Sequence, residues 1–138
     1  MSQATSKWLC SALAADAAIL ALAGSAENVF VAEPEERATL GDSQPALVVV
    51  REENEQPASL GSQLGIEEVT VWIEARSLTK QTVHDLKARA KALLADKQGR
   101  LDDGTIVQRT RYDWGRGPYL NEDGATWEAQ LRFILKTN

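Results

Sequence analysis

Residues 66–96 change their hydrophobic period once, and that change dictates most of what the chain can become. In Ile66–Arg76, IEEVTVWIEAR, the residues Val69, Val71, Ile73 and Ala75 alternate with Thr70, Trp72 and Glu74. A two-residue period puts the first set on one face of a strand and the second set on the other. Three residues later the period becomes helical. Over Thr79–Asp96, the residues Val83, Leu86, Ala90, Leu93 and Leu94 fall within an arc of about 100°, while Lys80, Asp85, Arg89 and Lys91 lie off it. Thr79 is the expected N-cap and Gly99 the expected stop. A half-apolar strand feeding directly into a half-apolar helix predicts a sheet with helices on one face.

The same alternation recurs. In Thr126–Lys136, Trp127, Ala129, Leu131, Phe133 and Leu135 make one face, and Glu128, Gln130, Arg132 and Lys136 the other. Thr105–Trp114 reads as a strand stopped by Gly115-Arg116-Gly117-Pro118, with Asp102-Asp103-Gly104 as the turn before it. Tyr112 and Trp114 share a parity with Ile106, so either fits the core. Pro45 precedes Ala46–Val50, a β-branched run that predicts a strand, and Asn28–Val31 predicts a short extended piece. Glu33-Pro34-Glu35-Glu36 reads as a solvated loop, and the polar stretch 52–65, with Pro57, Gly61 and Gly65, as a long hairpin connection.

The N-terminal run 8–23, WLCSALAADAAILALA, is the most apolar segment. It is short for a membrane span and Asp16 sits in its middle. Lys7 ahead of the run and Ala21-Leu22-Ala23 at its end have the form of a signal peptide, but Asp16 divides the apolar region such a peptide needs. The helical reading accommodates more. Ser6 caps a first helix, and Trp8, Ala12, Ala15 and Ile19 line a stripe widened by Leu9, Leu13 and Leu20. Asp16 falls inside that stripe, so the helix is expected to break there. Asp16 then caps a second helix, Ala17–Ala23, which Gly24 ends in a left-handed conformation.

The expectation is one α+β domain over residues 1–138, in the order helix, strand, strand, helix, strand, strand. It has a mainly antiparallel four-stranded sheet with helices packed on one face. Area scaling for a chain of 138 residues leaves about two-thirds of the unfolded surface buried, enough for one core without staples. The uncovered face carries Trp72, Glu74, Glu128 and Arg132, and is either solvent or a partner surface.

No motif for catalysis or cofactor binding is present. GxGxxG, GxxxxGK[ST], CxxC and HExxH are all missing, so neither a nucleotide loop nor a zinc site is expected. His84, the single histidine, sits on the polar side of its helix, and Cys10, the single cysteine, reads as a small half-buried residue. One cysteine allows no internal disulfide, consistent with a reducing compartment. Asp102-Asp103 reads as turn chemistry. The clusters Glu33-Glu35-Glu36 and Glu52-Glu53-Glu55 lack the ligand pattern of a calcium loop. No cofactor, no metal and no catalytic residue are expected.

Charge is uneven. Residues 1–76 carry four basic and twelve acidic side chains, net −8, and residues 77–138 carry eleven basic and eight acidic, net +3. The overall −5 opposes non-specific DNA affinity, while the two halves are candidates for head-to-tail contact between copies.

Four stretches together resemble the small tail-terminator and tail-completion proteins of long-tailed phages. They are WLCSALAADAAILALAG followed by Asn28-Val29-Phe30; Pro45-Ala46-Leu47-Val48-Val49; VTVWIEARSLTKQTVHDLKARAKALL; and the closing WEAQLRFIL. Their order and spacing, over nearly the whole chain, carry the likeness; the loops at 32–44 and 52–65 have no counterpart in it. The resemblance implies a structural virion protein rather than an enzyme. It implies a homo-oligomeric ring, typically a hexamer, at the head-proximal end of the tail tube, built in the host cytoplasm. Its partners would be further copies of itself, the tail tube protein and a head–tail connector or neck protein. DNA would be passing cargo in the lumen, and no membrane is implied.

A closed ring needs one patch to meet a different patch. The candidate interface residues are Glu52, Glu53 and Glu55 in a partner- or lumen-facing acidic loop, Trp72 on the uncovered face, Arg109 and Arg111 on one strand face, and Arg116 in the loop after it. Two other readings compete. One is a neck or head-completion protein on the other side of the joint. The other is a small-molecule-binding regulatory module, which predicts a specific pocket and ligand-dependent stability.

Overall fold

The computed structural model describes residues 4–32, 46–50, 55–57, 67–122 and 124–138. The longest helix among the described residues forms where the apolar arc predicts it. α3, Lys80–Leu94, buries Val83, Leu86, Ala90 and Leu94. Thr79 occupies the N-cap position, but its hydroxyl makes no capping bond; its own N–H donates instead to Ser77 Oγ at 3.1 Å. The helix also ends earlier than the sequence suggests. Asp96, at φ 63°, turns the chain away, and Gly99 opens a short strand.

The break at Asp16 is present. α1 (Ala4–Ala14) and α2 (Ala17–Ala23) meet at 87°. The Asp16 carboxylate accepts the Ile19 N–H at 3.1 Å, and Gly24 ends α2 at φ 91°. The Asn28 side-chain amide donates to the Ala23 carbonyl at 2.6 Å, satisfying an acceptor left open at the helix end. Ser6 departs from expectation: it lies inside α1 and is buried with Leu9 and Leu13, because the helix starts at Ala4 and turns that side inward. Among the described residues no single helix is long and apolar enough to cross a membrane.

The strands are β1 (Val29–Ala32), β2 (Ala46–Val50), β3 (Glu55–Pro57), β4 (Glu67–Ser77), β5 (Gly99–Arg100), β6 (Ile106–Leu120) and β7 (Trp127–Thr137). They lie in one sheet in the order β1-β2-β4-β7-β6-β5, with β3 also on β4. The four strands read from the sequence form the contiguous antiparallel middle, β2-β4-β7-β6. Short strands widen it, and β1 joins β2 in parallel. The fold is α+β, as the alternation requires.

One face of the sheet is covered. Val69, Val71, Ile73 and Ala75 of β4 meet Ala129, Leu131, Phe133 and Leu135 of β7 at matching register, and all are buried with the inward residues of the helices. A fully buried Leu, Ile or Phe in such a core contributes about 1.5–3 kcal/mol. Trp8 packs so close to Gly99 that an added Cβ there would come 2.7 Å from its ring.

β6 differs most from expectation. Gly115-Arg116-Gly117-Pro118 does not stop the strand, which runs on to Leu120. The ladder to β7 absorbs the extra length as register shifts at Val107/Arg109, Tyr112/Trp114 and Arg116/Tyr119. Each such bulge adds one residue to β6 alone and so changes which face the next side chain occupies.

Candidate functional site

The uncovered face of β4, β7 and β6 is built from the even-numbered residues of β4 and β7. Register aligns them with residues of β6 into rows that cross the sheet: Arg76–Glu128–Tyr119, Glu74–Gln130–Arg116, Trp72–Arg132–Trp114, Thr70–Ile134–Arg111 and Glu68–Lys136–Arg109. Directly opposed side chains are close enough to interact, so each row is a physical unit.

The first two rows are polar and largely closed. Glu128 accepts from Arg76 Nη2 at 2.6 Å and Nε at 2.9 Å, from Tyr119 Oη at 3.1 Å and from Asn121 Nδ2 at 2.9 Å. These donors compensate a carboxylate that is only 8% exposed. Partial burial, with the Glu128 charge adding to it, raises the Tyr119 pKa, so the phenol stays protonated and donates. Gln130 donates to Glu74 at 3.1 Å and accepts from Arg116 Nε at 3.1 Å, which carries the hydrogen bonding across all three strands.

The middle row is aromatic. Trp72 and Trp114 meet edge to face with ring centroids 5.6 Å apart. The Arg132 guanidinium lies 5.2 Å from one ring centroid and 5.8 Å from the other, and its Nε donates to Asp113 Oδ2. Such contact of a cation with ring faces is favourable, and Trp and Arg dominate the energetics of protein interfaces. Trp114 remains 39% exposed.

The last two rows are cationic. Arg109, Arg111, Lys136, Ile134 and Glu68 line a shallow concavity of about 260 Å³. Arg109 pairs with Asp96 at 3.2 Å and Arg111 with Asp113 at 3.4 Å, both in water-exposed positions where such pairs contribute little. Among the described residues, Arg116 and Lys136 have no carboxylate within ion-pair distance.

Of the residues singled out in the sequence, Trp72, Arg109, Arg111 and Arg116 come together on this face. Arg116 is in β6 itself rather than in a loop after it, because β6 continues through Gly115 and Gly117. Glu55 lies in β3 at the register of Val69, while Glu52 and Glu53 fall outside the described residues. Trp114 joins Trp72 only because of the shift at Asp113. Tyr112, two residues earlier, faces Phe133 on the covered side with ring centroids 5.7 Å apart. Arg132 and Lys136 were legible in the parity of β7 but gain significance only from their cross-strand neighbours.

His84 is exposed on α3, and Cys10 is half-buried with its thiol 3.6 Å from the Val29 carbonyl. Burial raises the Cys10 pKa, which leaves less of the nucleophilic thiolate. Among the described residues no three His, Cys, Asp or Glu side chains are grouped to hold a metal ion.

Fold and face together define an α+β protein whose open sheet face carries polar, aromatic and cationic rows. The family model described as "Tail completion protein gp17" matches residues 7–137, and the chain belongs to that family. It is thereby a structural protein of a phage-type tail, part of a virion and of its assembly. A chain in the virion of a native gene transfer agent particle has the same fold: TM-score 0.70 at 16% identity, covering 97% of this chain and 94% of that one. No curated protein matches.

Proposed function

We propose that this protein assembles as a ring, a hexamer by the family resemblance, on the head-proximal end of a tail tube. There it stops further tube polymerisation and presents a surface for head joining. The single observation that carries this reading is the family match, which runs through every element from α1 to β7 rather than through one motif. The role is structural, and no chemical step is assigned to it. The sheet suits it physically. A ring end must hold its shape against a long polymer, and three strands locked by cross-strand hydrogen bonds resist shear. The protein's partners in this role are its own copies, the tube protein and a connector.

The test is to add the purified protein to polymerising tail-tube subunits and measure tube length by negative-stain electron microscopy. Short tubes bearing a ring at one end are expected. Tubes of unlimited length, with the protein bound instead to connector proteins of the head, would overturn the reading in favour of a neck protein.

A further inference from the structure

We propose that the aromatic and cationic rows of the open face, centred on Trp114, Arg111 and Arg109, dock the acidic stretch 27–55 of a second copy of this chain. The inference rests on the ring reading and supplies its interface.

Arg109 is 63% exposed and Arg111 50% exposed. Lys136 is exposed beside them without a described carboxylate partner, and Arg116 is exposed on the other side of the aromatic row. Positive charge therefore accumulates on one side of the open face, next to a Trp that is 39% exposed. An aromatic anchor bordered by exposed guanidinium groups is the make-up of a hot spot. The complementary charge is in the same chain. Residues 27–55 contain Glu27, Glu33, Glu35, Glu36, Asp42, Glu52, Glu53 and Glu55 against only Arg37 and Arg51. A cationic face and an acidic stretch on one polypeptide are two different patches, as a heterologous contact that closes into a ring requires. Duplex DNA would also be drawn to the cations, but the chain's net charge of −5 opposes it and a duplex keeps its bases stacked on one another rather than on Trp114.

The experiment uses two charge-swapped full-length proteins. The face variant carries Arg109→Glu, Arg111→Glu and Lys136→Glu; the segment variant carries Glu52→Lys, Glu53→Lys and Glu55→Lys. Association is read by sedimentation velocity and by occupancy of tube ends. Each variant alone should associate at least about tenfold more weakly than the unmodified protein, and an equimolar mixture should recover, because every contact in it again joins opposite charges. Association of the unmodified protein should also weaken as salt rises. The milder Arg111→Gln and Trp114→Ala proteins give the same reading if a triple variant fails to fold.

Variants that associate like the unmodified protein, or a mixture no better than its components, would overturn the interface while leaving the ring reading intact. An unmodified protein that neither associates nor caps tubes would remove both. Loss of binding to a short DNA duplex in the face variant, with self-association unchanged, would reassign the face to nucleic acid and overturn the proposal.

Discussion

The Arg89 guanidinium grips the Asp16 carboxylate at 2.7 and 2.9 Å, so the middle of α3 is tied to the residue at which α1 and α2 part. Asp16 thus has two jobs. It caps α2 through the Ile19 N–H and fixes where the bent N-terminal pair sits on α3. The two can be separated. Asp16→Asn retains a capping acceptor but loses the charge, whereas Asp16→Ala loses both. The alanine variant should lose about 1 kcal/mol more than the asparagine variant, the usual value of a cap, measured by urea unfolding.

The same carboxylate sets a pH dependence. Chiefly through the Arg89 hydrogen bond, the Asp16 pKa in the folded state lies below its ordinary value. A depressed folded pKa contributes stability that is present above the unfolded carboxylate range, about pH 3.9, and is lost as pH falls through the folded value. The stability gap between the natural protein and Asp16→Asn should be full at neutral pH and should close in acid. A gap that is constant from pH 7 to about pH 2 would rule out this linkage.

Gly117 stands at φ 90°, and an added Cβ would lie 2.7 Å from the Glu128 carbonyl oxygen and 3.0 Å from the Ala129 Cα. Both obstacles are backbone of the neighbouring strand, so nothing can swing aside. Gly117→Ala should cost about 2–3 kcal/mol, combining positive-φ strain with the clash. Gly104, also at φ 91° but with open space around it, is the control. Gly104→Ala should cost only about 1 kcal/mol. Paired thermal melts distinguish the two.

Thr110 is fully buried beneath the helices, and its hydroxyl has no partner among the described residues. Valine has nearly the same shape and removes the unpaired polar atom. Thr110→Val should be neutral or stabilising by about 1 kcal/mol, and Thr110→Ser, which keeps the hydroxyl but loses the methyl, should destabilise. Urea midpoints in the reverse order would show that the hydroxyl is satisfied.

Glu128 and Arg76 pair with only 11% of each side chain exposed. Replacing Glu128 by Ala strips Arg76, Tyr119 and Asn121 of a shared acceptor at once. The expected loss is about 2–3 kcal/mol, somewhat below that for a fully enclosed pair. Calorimetry that registers no change would mean water replaces the carboxylate at little cost.

How far the sequence could be read follows from the range of the forces involved. The alternation in 66–76 and 126–136, the apolar stripe of α3 and the cap at Asp16 depend on residues a few positions apart, and these features are legible along the chain. The partner that holds Asp16 in place, Arg89, is 73 residues away and no local pattern announces it.

The candidate face divides in the same way. Periodicity alone placed Trp72, Arg132 and Lys136 on the uncovered side, because a two-residue repeat leaves no other option once Val71 and Phe133 face the core. Tertiary structure alone decided that Trp114 would join them and that Arg116 would belong to a strand. Those outcomes depend on where β6 bulges against β7, and a bulge is set by two strands fitting together rather than by either one. Sequence chose which residues face outward on each strand; pairing between strands chose which of them became neighbours.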